Sequence, residues 1–299
     1  MFDPIAPDDP RFAAAARLLF GACADEARRC LHAHGHGAPE LLEADLRRIA
    51  QEGDLRLLAS ADAMIAADVD RGAKRAWLWG PAAAAHDAPS LTALYRAMQQ
   101  NIRRDAVRAS AFLHVRNAEA VAALEAAGGV RTGLVHVYTA ERPAAPAAAP
   151  MPGVRDAAPD DAAGVAALHD AAFPATYLPA ARMAELAASG DARLLVAGPP
   201  GSVVAYVFVQ AKEDGTGYVD FLGVDPAHRG RGLGRALLDA GLAWLFRDRG
   251  ARAVSLTVRA DNPGAISLYR DAGFRLAEAG VALDWRWPHN GNDPNEVTT

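Results

Sequence analysis

Residues 224–237 read VDPAHRGRGLGRAL, three glycines at alternate positions with arginines between and beside them. Inside a helix each glycine costs about 1 kcal/mol relative to alanine, and inside a strand it forfeits cross-strand packing. The pattern therefore marks a loop whose backbone is the working surface. The stretch before it, YVDFLGV (218–224), is β-branched and apolar and predicts a strand. The stretch after it predicts a helix from Leu233 to Arg247, with Leu233, Leu237, Leu238, Leu242, Leu245 and Phe246 on one face.

A P-loop would need GxxxxGK[ST], and neither a lysine nor a hydroxyl follows these glycines. A dinucleotide fold would need GxGxxG, whereas Gly230, Gly232 and Gly234 run GxGxG. Two readings stay open. One is a pyrophosphate cradle made by unpaired N–H groups at a helix N-terminus, with Arg229, Arg231 and Arg235 adding positive charge. The plainer one is a strand-to-helix turn with a solvated basic rim. Three glycines favour the cradle.

Working outward, residues 160–172 and 180–188 predict helices. RLLVAG and VVAYVFVQA flank a PPGS turn and predict a hairpin. AVSLTVR (253–259) predicts a strand, and Asn262 followed by Pro263 opens a helix that Gly273 stops. VALDWRW (281–287) alternates and predicts a last strand; Trp285 and Trp287 share one face, as core packing residues or, less simply, as acceptor contacts. The first half repeats this plan. GDLRLLAS at Gly53 parallels GDARLLVAG at Gly190, and FLHVRNAEAVAALEAAGG at Phe112 parallels SLTVRADNPGAISLYRDAGF at Ser255. A repeat of this length is a duplicated domain, not a solenoid. AERPAAPAAAPMPG (140–153) between the halves predicts a semi-rigid linker.

The length of 299 residues suits two domains, and 51% hydrophobic residues suffice for their cores. A net charge of −5 argues against general nucleic-acid binding. No long uncharged apolar run suggests a membrane span, and MFDPIAPDDPRF lacks the regions of a signal peptide, so a soluble cytoplasmic protein is expected. Cys23 and Cys30 give no disulfide framework, and reduced thiols are expected. His32, His34 and His36 read as a polar loop rather than a metal site, and no metal is expected.

The two motifs together, YVDFLGVDPAHRGRGLGRALL and LTVRADNPGAISLYRDAGF, resemble the GNAT superfamily of acyl-CoA-dependent N-acetyltransferases. Arg229, Gly232 and Gly234 fit the family's loop, and Asn262, Tyr269, Gly273 and Phe274 fit its later helix. The match spans residues 154–290, and the tandem layout is similar to that of the mycothiol synthases, a tandem family within this superfamily. The resemblance implies tandem GNAT-like α/β domains, each a mixed, largely antiparallel central sheet flanked by helices. It assigns residues 1–140 to a degenerate domain, 141–153 to the linker, 154–290 to the active domain and 291–299 to a polar tail. Degeneracy follows from the first half itself, which has AAAAHDAPS where the glycine loop should be and Leu124 where Tyr269 should be. That half is expected to pack against and support its sibling.

What the resemblance implies chemically is acetyl transfer from acetyl-CoA to a primary amine of a small molecule or peptide, by direct attack through a tetrahedral intermediate. The strand 218–224 should splay from a neighbour, with the backbone of Leu222, Gly223 and Val224 taking the pantetheine arm. Gly230, Leu233 and the other loop residues named above would take the pyrophosphate, and Asn262 would contact the cofactor besides capping its helix. Tyr269 is the candidate general acid. Asp220 stands as candidate base, as amine anchor or as a simple salt-bridge partner. The alternative to an enzyme is a non-catalytic acyl-CoA sensor, which would keep the loop and dispense with acid–base groups.

Overall fold

The computed structural model describes residues 2–33, 36–141, 153–174 and 176–287. They form two compact units, Met1–Leu134 with Ala279–Thr299, and Val135–Glu278.

Unit 1 opens with β1 (Asp3–Pro4), α1 (Phe12–Cys23), α2 (Pro39–Glu52), β2 (Leu55–Ala59), β3 (Ala63–Asp70) and β4 (Arg75–Ala83). It continues with α3 (Ala88–Ile102), β5 (Arg108–His114) and α4 (Ala118–Ala126). The chain then runs through β6 (Gly129–Glu141) into unit 2: β7 (Val154–Asp156), α5 (Ala162–Ala172), α6 (Ala180–Ser189), β8 (Ala192–Ala197), β9 (Ala205–Ala211) and β10 (Gly217–Val224). After these come α7 (Leu233–Ala243), β11 (Ala253–Arg259), α8 (Pro263–Asp271) and β12 (Arg275–Arg286).

The local signals act as expected. Asn262 Oδ1 accepts from Ala265 N at 3.1 Å with Pro263 in the first turn of α8, and Asn117 caps α4 in the same way through Ala120 N at 3.2 Å. Leu237, Leu238, Leu242, Leu245 and Phe246 are buried, and the helix begun at Leu233 ends in a π-turn over Trp244–Asp248. Each leucine so buried contributes roughly 1.5–3 kcal/mol.

The strands of the two units share one plan. In unit 1, β1, β2, β3 and β4 pair antiparallel, β4 pairs parallel with β5, and β5 pairs antiparallel with β12. In unit 2, β7, β8, β9 and β10 pair antiparallel, β10 pairs parallel with β11, and β11 pairs antiparallel with β6. Each unit thus takes one of its strands from the other half of the chain. Val135–Glu141 lies along β11, and Gly280–Arg286 lies along β5. The units in space therefore differ from contiguous halves of the sequence. Trp285 is 1% exposed in the core of unit 1, its ring 6.2 Å from that of Tyr95. Trp287 donates its indole N–H to Ala106 O at 2.9 Å. Both tryptophans are packing residues of unit 1, far along the chain from its other strands.

Cys23 and Cys30 are free and buried, with burial pushing the Cys23 thiol up to about 12. His32 donates to Leu78 O at 2.9 Å and packs edge-on to Phe112, and His36 bonds Ala33 O at 3.1 Å. These are structural contacts; His34, the linker residues 142–152 and the tail 288–299 lie outside the described residues. Among the described residues no helix is long and apolar enough to cross a membrane.

Candidate active site

β10 and β11 pair in parallel over Gly217↔Val254, Tyr218↔Ser255 and Val219↔Leu256, whereas β10 and β9 stay paired to Val224↔Ala205. Past Val219, then, β10 keeps β9 but parts from β11, and the Leu222–Val224 backbone has one open edge. A β-bulge at Asp220 marks the change, since Val219 pairs with Val209 and Phe221 with Phe208. Gly223 is needed here for a reason the sequence does not state. A Cβ on it would stand 2.6 Å from Tyr206 Cε1. Tyr206 is buried, and its hydroxyl donates to His169 Nδ1 at 2.5 Å, while His169 Nε2 donates to Leu178 O at 3.0 Å. The ring beneath Gly223 is thereby fixed.

The loop after β10 turns twice through positive φ, +74° at Gly230 and +79° at Gly232, conformations that side chains resist. Gly232 is the N-terminal cap of α7. Among the described residues no acceptor pairs with the backbone N–H groups of Gly230 to Arg235; the next one along, Ala236 N, bonds Gly232 O at 3.0 Å. Unpaired amides and the positive end of the helix dipole make this an anion site in waiting. Arg229 bonds Val224 O at 3.2 Å and Arg231 bonds Ala227 O at 3.3 Å, both from exposed side chains. Arg235 is engaged by Asp239 and by Asp271 O at 3.0 Å, so Arg229 and Arg231 are the cations facing the loop's own turn. Gly234 differs from the other two glycines. A Cβ there would meet Leu268 and Val224 side chains at 3.5 Å, an ordinary contact.

Asp220 lies in a polar cluster on β10. Its Oδ1 accepts from Tyr177 Oη and, at 3.0 Å, from Gln210 Nε2; its Oδ2 is buried without a partner. Burial pushes the carboxyl above the ordinary carboxylate range, opposed by Lys212 and by the two donors. Tyr269 is 8% exposed on α8, and burial raises its phenol to about 12. The phenol of Tyr218 stands within electrostatic reach of both Asp220 and Tyr269 and donates to Thr257 Oγ1 at 2.8 Å. Tyr218 is thus influenced both by a raised carboxyl on β10 and by a raised phenol on α8.

Unit 1 carries the same frame with different side chains at the matching positions. Trp77 pairs with Ser110 as Tyr218 pairs with Ser255, and each serine stands seven residues before the capping asparagine. By this register Trp79 occupies the position of Asp220, packed 5.7 Å from His32, and buried Leu124 occupies that of Tyr269. The N-terminus of α3 is already served by acids. Asp87 Oδ1 accepts from Ser90 N at 2.8 Å and Glu119 Oε2 from Ala88 N at 3.1 Å. Two carboxylates there satisfy the amides and repel an anion.

Residues 163–274 match the Acetyltransferase (GNAT) family model. They belong to the GNAT acetyltransferase family. Relatives of the GNAT region include the mycothiol acetyltransferase of Arthrobacter sp. (strain FB24), 38% identical over 117 residues, which covers 38% of this chain and 35% of that one. That of Clavibacter michiganensis subsp. michiganensis (strain NCPPB 382) is 50% identical over 74 residues, covering 25% and 23%. The matched stretches thus span only about a quarter to a third of these relatives' lengths. The likeness in fold runs further. A GCN5-related N-acetyltransferase from Sphaerobacter thermophilus superposes with a TM-score of 0.74 at 20% identity, covering 96% of this chain and 95% of that one. A tandem GNAT protein from the clavulanic acid biosynthesis pathway does so at 0.69 and 17%, covering 98% and 99%.

Of the GNAT residues expected from sequence, the structure gathers Leu222–Val224, the loop 229–235, Asp220 and Tyr269 about the parting of β10 from β11. Asn262 sits at the start of α8, its oxygen spent on the cap. Sequence reading missed Tyr177, Gln210, Tyr218 and Thr257. Gln210, a polar residue closing an apolar strand, was a visible signal; Tyr177 lies in an irregular segment and gave none.

Proposed function

We propose that the GNAT unit is a cytoplasmic N-acetyltransferase that moves an acetyl group from acetyl-CoA to a primary amine of a small molecule or peptide. The observation that carries this reading is the run of unpaired amides from Gly230 to Arg235 beside the open edge of β10. The Gly230–Arg235 amides, with Arg229 and Arg231, suit a pyrophosphate, and the Leu222–Val224 backbone suits the amide groups of a pantetheine arm. Asn262 lends its side-chain nitrogen to the same ligand. The co-substrate supplies the acetyl group activated as a thioester.

The rest is work for the chain's own groups. Asp220, held above the usual carboxylate range, removes the proton from the attacking amine. An N–H on β10 faces the carbonyl oxygen as negative charge develops there. Tyr269 delivers a proton to the departing sulfur. The mycothiol acetyltransferases among the relatives support acetyl transfer to a small-molecule amine. Unit 1, with Trp79, Leu124 and an acid-capped α3, has a supporting role.

The test is an amine panel of alkylamines, amino-acid amides, aminoglycosides and short peptides with free N-termini, followed by release of the CoA thiol. Turnover with one class confirms the reading and names the acceptor. Saturable acetyl-CoA binding with no thiol release for any amine would leave a sensor instead.

A further inference from the structure

We propose that Tyr177 is a positioning residue of this site: its hydroxyl and the Gln210 amide together hold Oδ1 of Asp220, leaving Oδ2 as the atom that takes the acceptor's proton. The inference rests on the reading of Asp220 as the base. Tyr177 comes from the segment between α5 and α6, with its ring 5.3 Å from that of Phe221 and 48% exposed. A phenol at the surface has water for a partner, yet this one turns its hydroxyl inward onto a carboxylate on β10. Holding it there costs side-chain freedom.

The asymmetry at Asp220 is the second observation. Two donors, from β9 and from the α5–α6 segment, converge on one oxygen, and the other is buried with none. Buried acceptors lacking a donor are rare and call for an explanation such as a catalytic role. Two fixed bonds to Oδ1 leave the carboxylate little freedom to rotate, so Oδ2 keeps one direction. The other groups facing Asp220 are Lys212, whose ammonium lies 5.9 Å from the Tyr218 ring, and Tyr218 itself. Lys212 and the Tyr177 bond both favour the charged carboxylate and oppose burial.

Tyr177→Phe keeps the ring on Phe221 and removes only the donor. The measurement is a carbon NMR titration of the full chain carrying carboxyl-labelled aspartate, with the Asp220 signal assigned by its loss in Asp220→Asn. The midpoint of Asp220 moves to higher pH in Tyr177→Phe, and acetyl-CoA affinity stays within twofold. With the fastest amine of the panel, the acid limb of single-turnover transfer moves by the same amount. An Asp220 midpoint identical in the two proteins overturns the proposal. A midpoint that moves while the acid limb stays in place supports the positioning by Tyr177 and removes Asp220 as the base, so the two ideas fail separately.

Discussion

Trp285 donates its indole N–H to the carbonyl of Ala127, 158 residues earlier, at 2.8 Å. The bond ties the last strand of the chain into the unit formed by its beginning. Trp285→Ala removes both this bond and a buried ring, a loss of about 3–5 kcal/mol, and it should appear as unfolding of unit 1 in urea melts. The exchange of strands also governs fragments. Residues 152–299 lack the β6 segment Val135–Glu141, so β11 loses its antiparallel partner, keeping only β10, and β12 has no β5 to join. That fragment should aggregate or melt without cooperativity, whereas 130–278 keeps every strand of unit 2. A cooperative, full-chain-like melt from 152–299 would contradict the exchange.

The three loop glycines should respond differently to substitution. Gly230→Val and Gly232→Val force a branched side chain into positive φ and crowd the unpaired amides. Both should lower acetyl-CoA affinity at least about tenfold by calorimetry, with some loss of stability from the left-handed backbone, about 1–2 kcal/mol. Gly234→Ala makes only ordinary contacts with Leu268 and Val224 and improves helix propensity by about 1 kcal/mol. Its fold and affinity should stay near those of the parent. Equal losses in all three would mean that Gly234 is as tightly constrained as Gly230 and Gly232. Binding stoichiometry should be one per chain, since Asp87 and Glu119 cap the counterpart helix.

Tyr269→Phe isolates the proton donor. A phenol near 12 faces a free thiol near 8.5, a gap of roughly 5 kcal/mol if transfer were complete before bond breaking. Transfer concerted with cleavage of the carbon–sulfur bond avoids most of it. The hydroxyl therefore matters only as the bond breaks, and the Phe variant should lose about 10²-fold in single-turnover acetylation with acetyl-CoA affinity nearly unchanged. Parent-like rates would reduce Tyr269 to a packing residue beside Phe274, whose ring lies 6.0 Å away.

Asp220→Asn should trade activity for stability. A carboxyl whose folded pKa is raised holds its proton more tightly in the folded chain, so folding is favoured at low pH and that favour is lost as pH rises through the folded value. Above it the parent buries a charge with one unpartnered oxygen. The Asn variant should melt higher than the parent at pH 7. Its advantage should shrink as pH falls toward the ordinary carboxylate value of about 4. Thermal melts across pH check the sign, and an Asn variant less stable than the parent at pH 7 would reverse it.

Local chemistry made much of this legible. The glycine loop, the Asn262 cap, Asp220 on its strand and the first half's lack of both loop glycines and tyrosine follow from residues close together in sequence, whereas the parted strand and the role of Tyr269 came with the resemblance to the GNAT superfamily. Side-chain partners that meet across elements were not legible. Tyr177 reaches Asp220 from a segment without periodicity, and Tyr206 rather than a ligand explains why Gly223 has no side chain.

The sequence by itself determined two copies of one α/β plan and which copy keeps the glycine loop and the tyrosine, because strand and helix periods, caps and glycine turns act within a few residues. Only the tertiary structure decided that the Val135–Glu141 part of β6 pairs with β11 and that β12 pairs with β5. Backbone hydrogen bonds along a strand carry no mark of which copy they serve, and two copies of one plan offer equivalent partner strands. Packing breaks the tie: Trp285 and Trp287 fit beside Tyr95 and Ala106 in one unit, and Tyr138 and Ala140 fit the core built on α7 and β11 in the other.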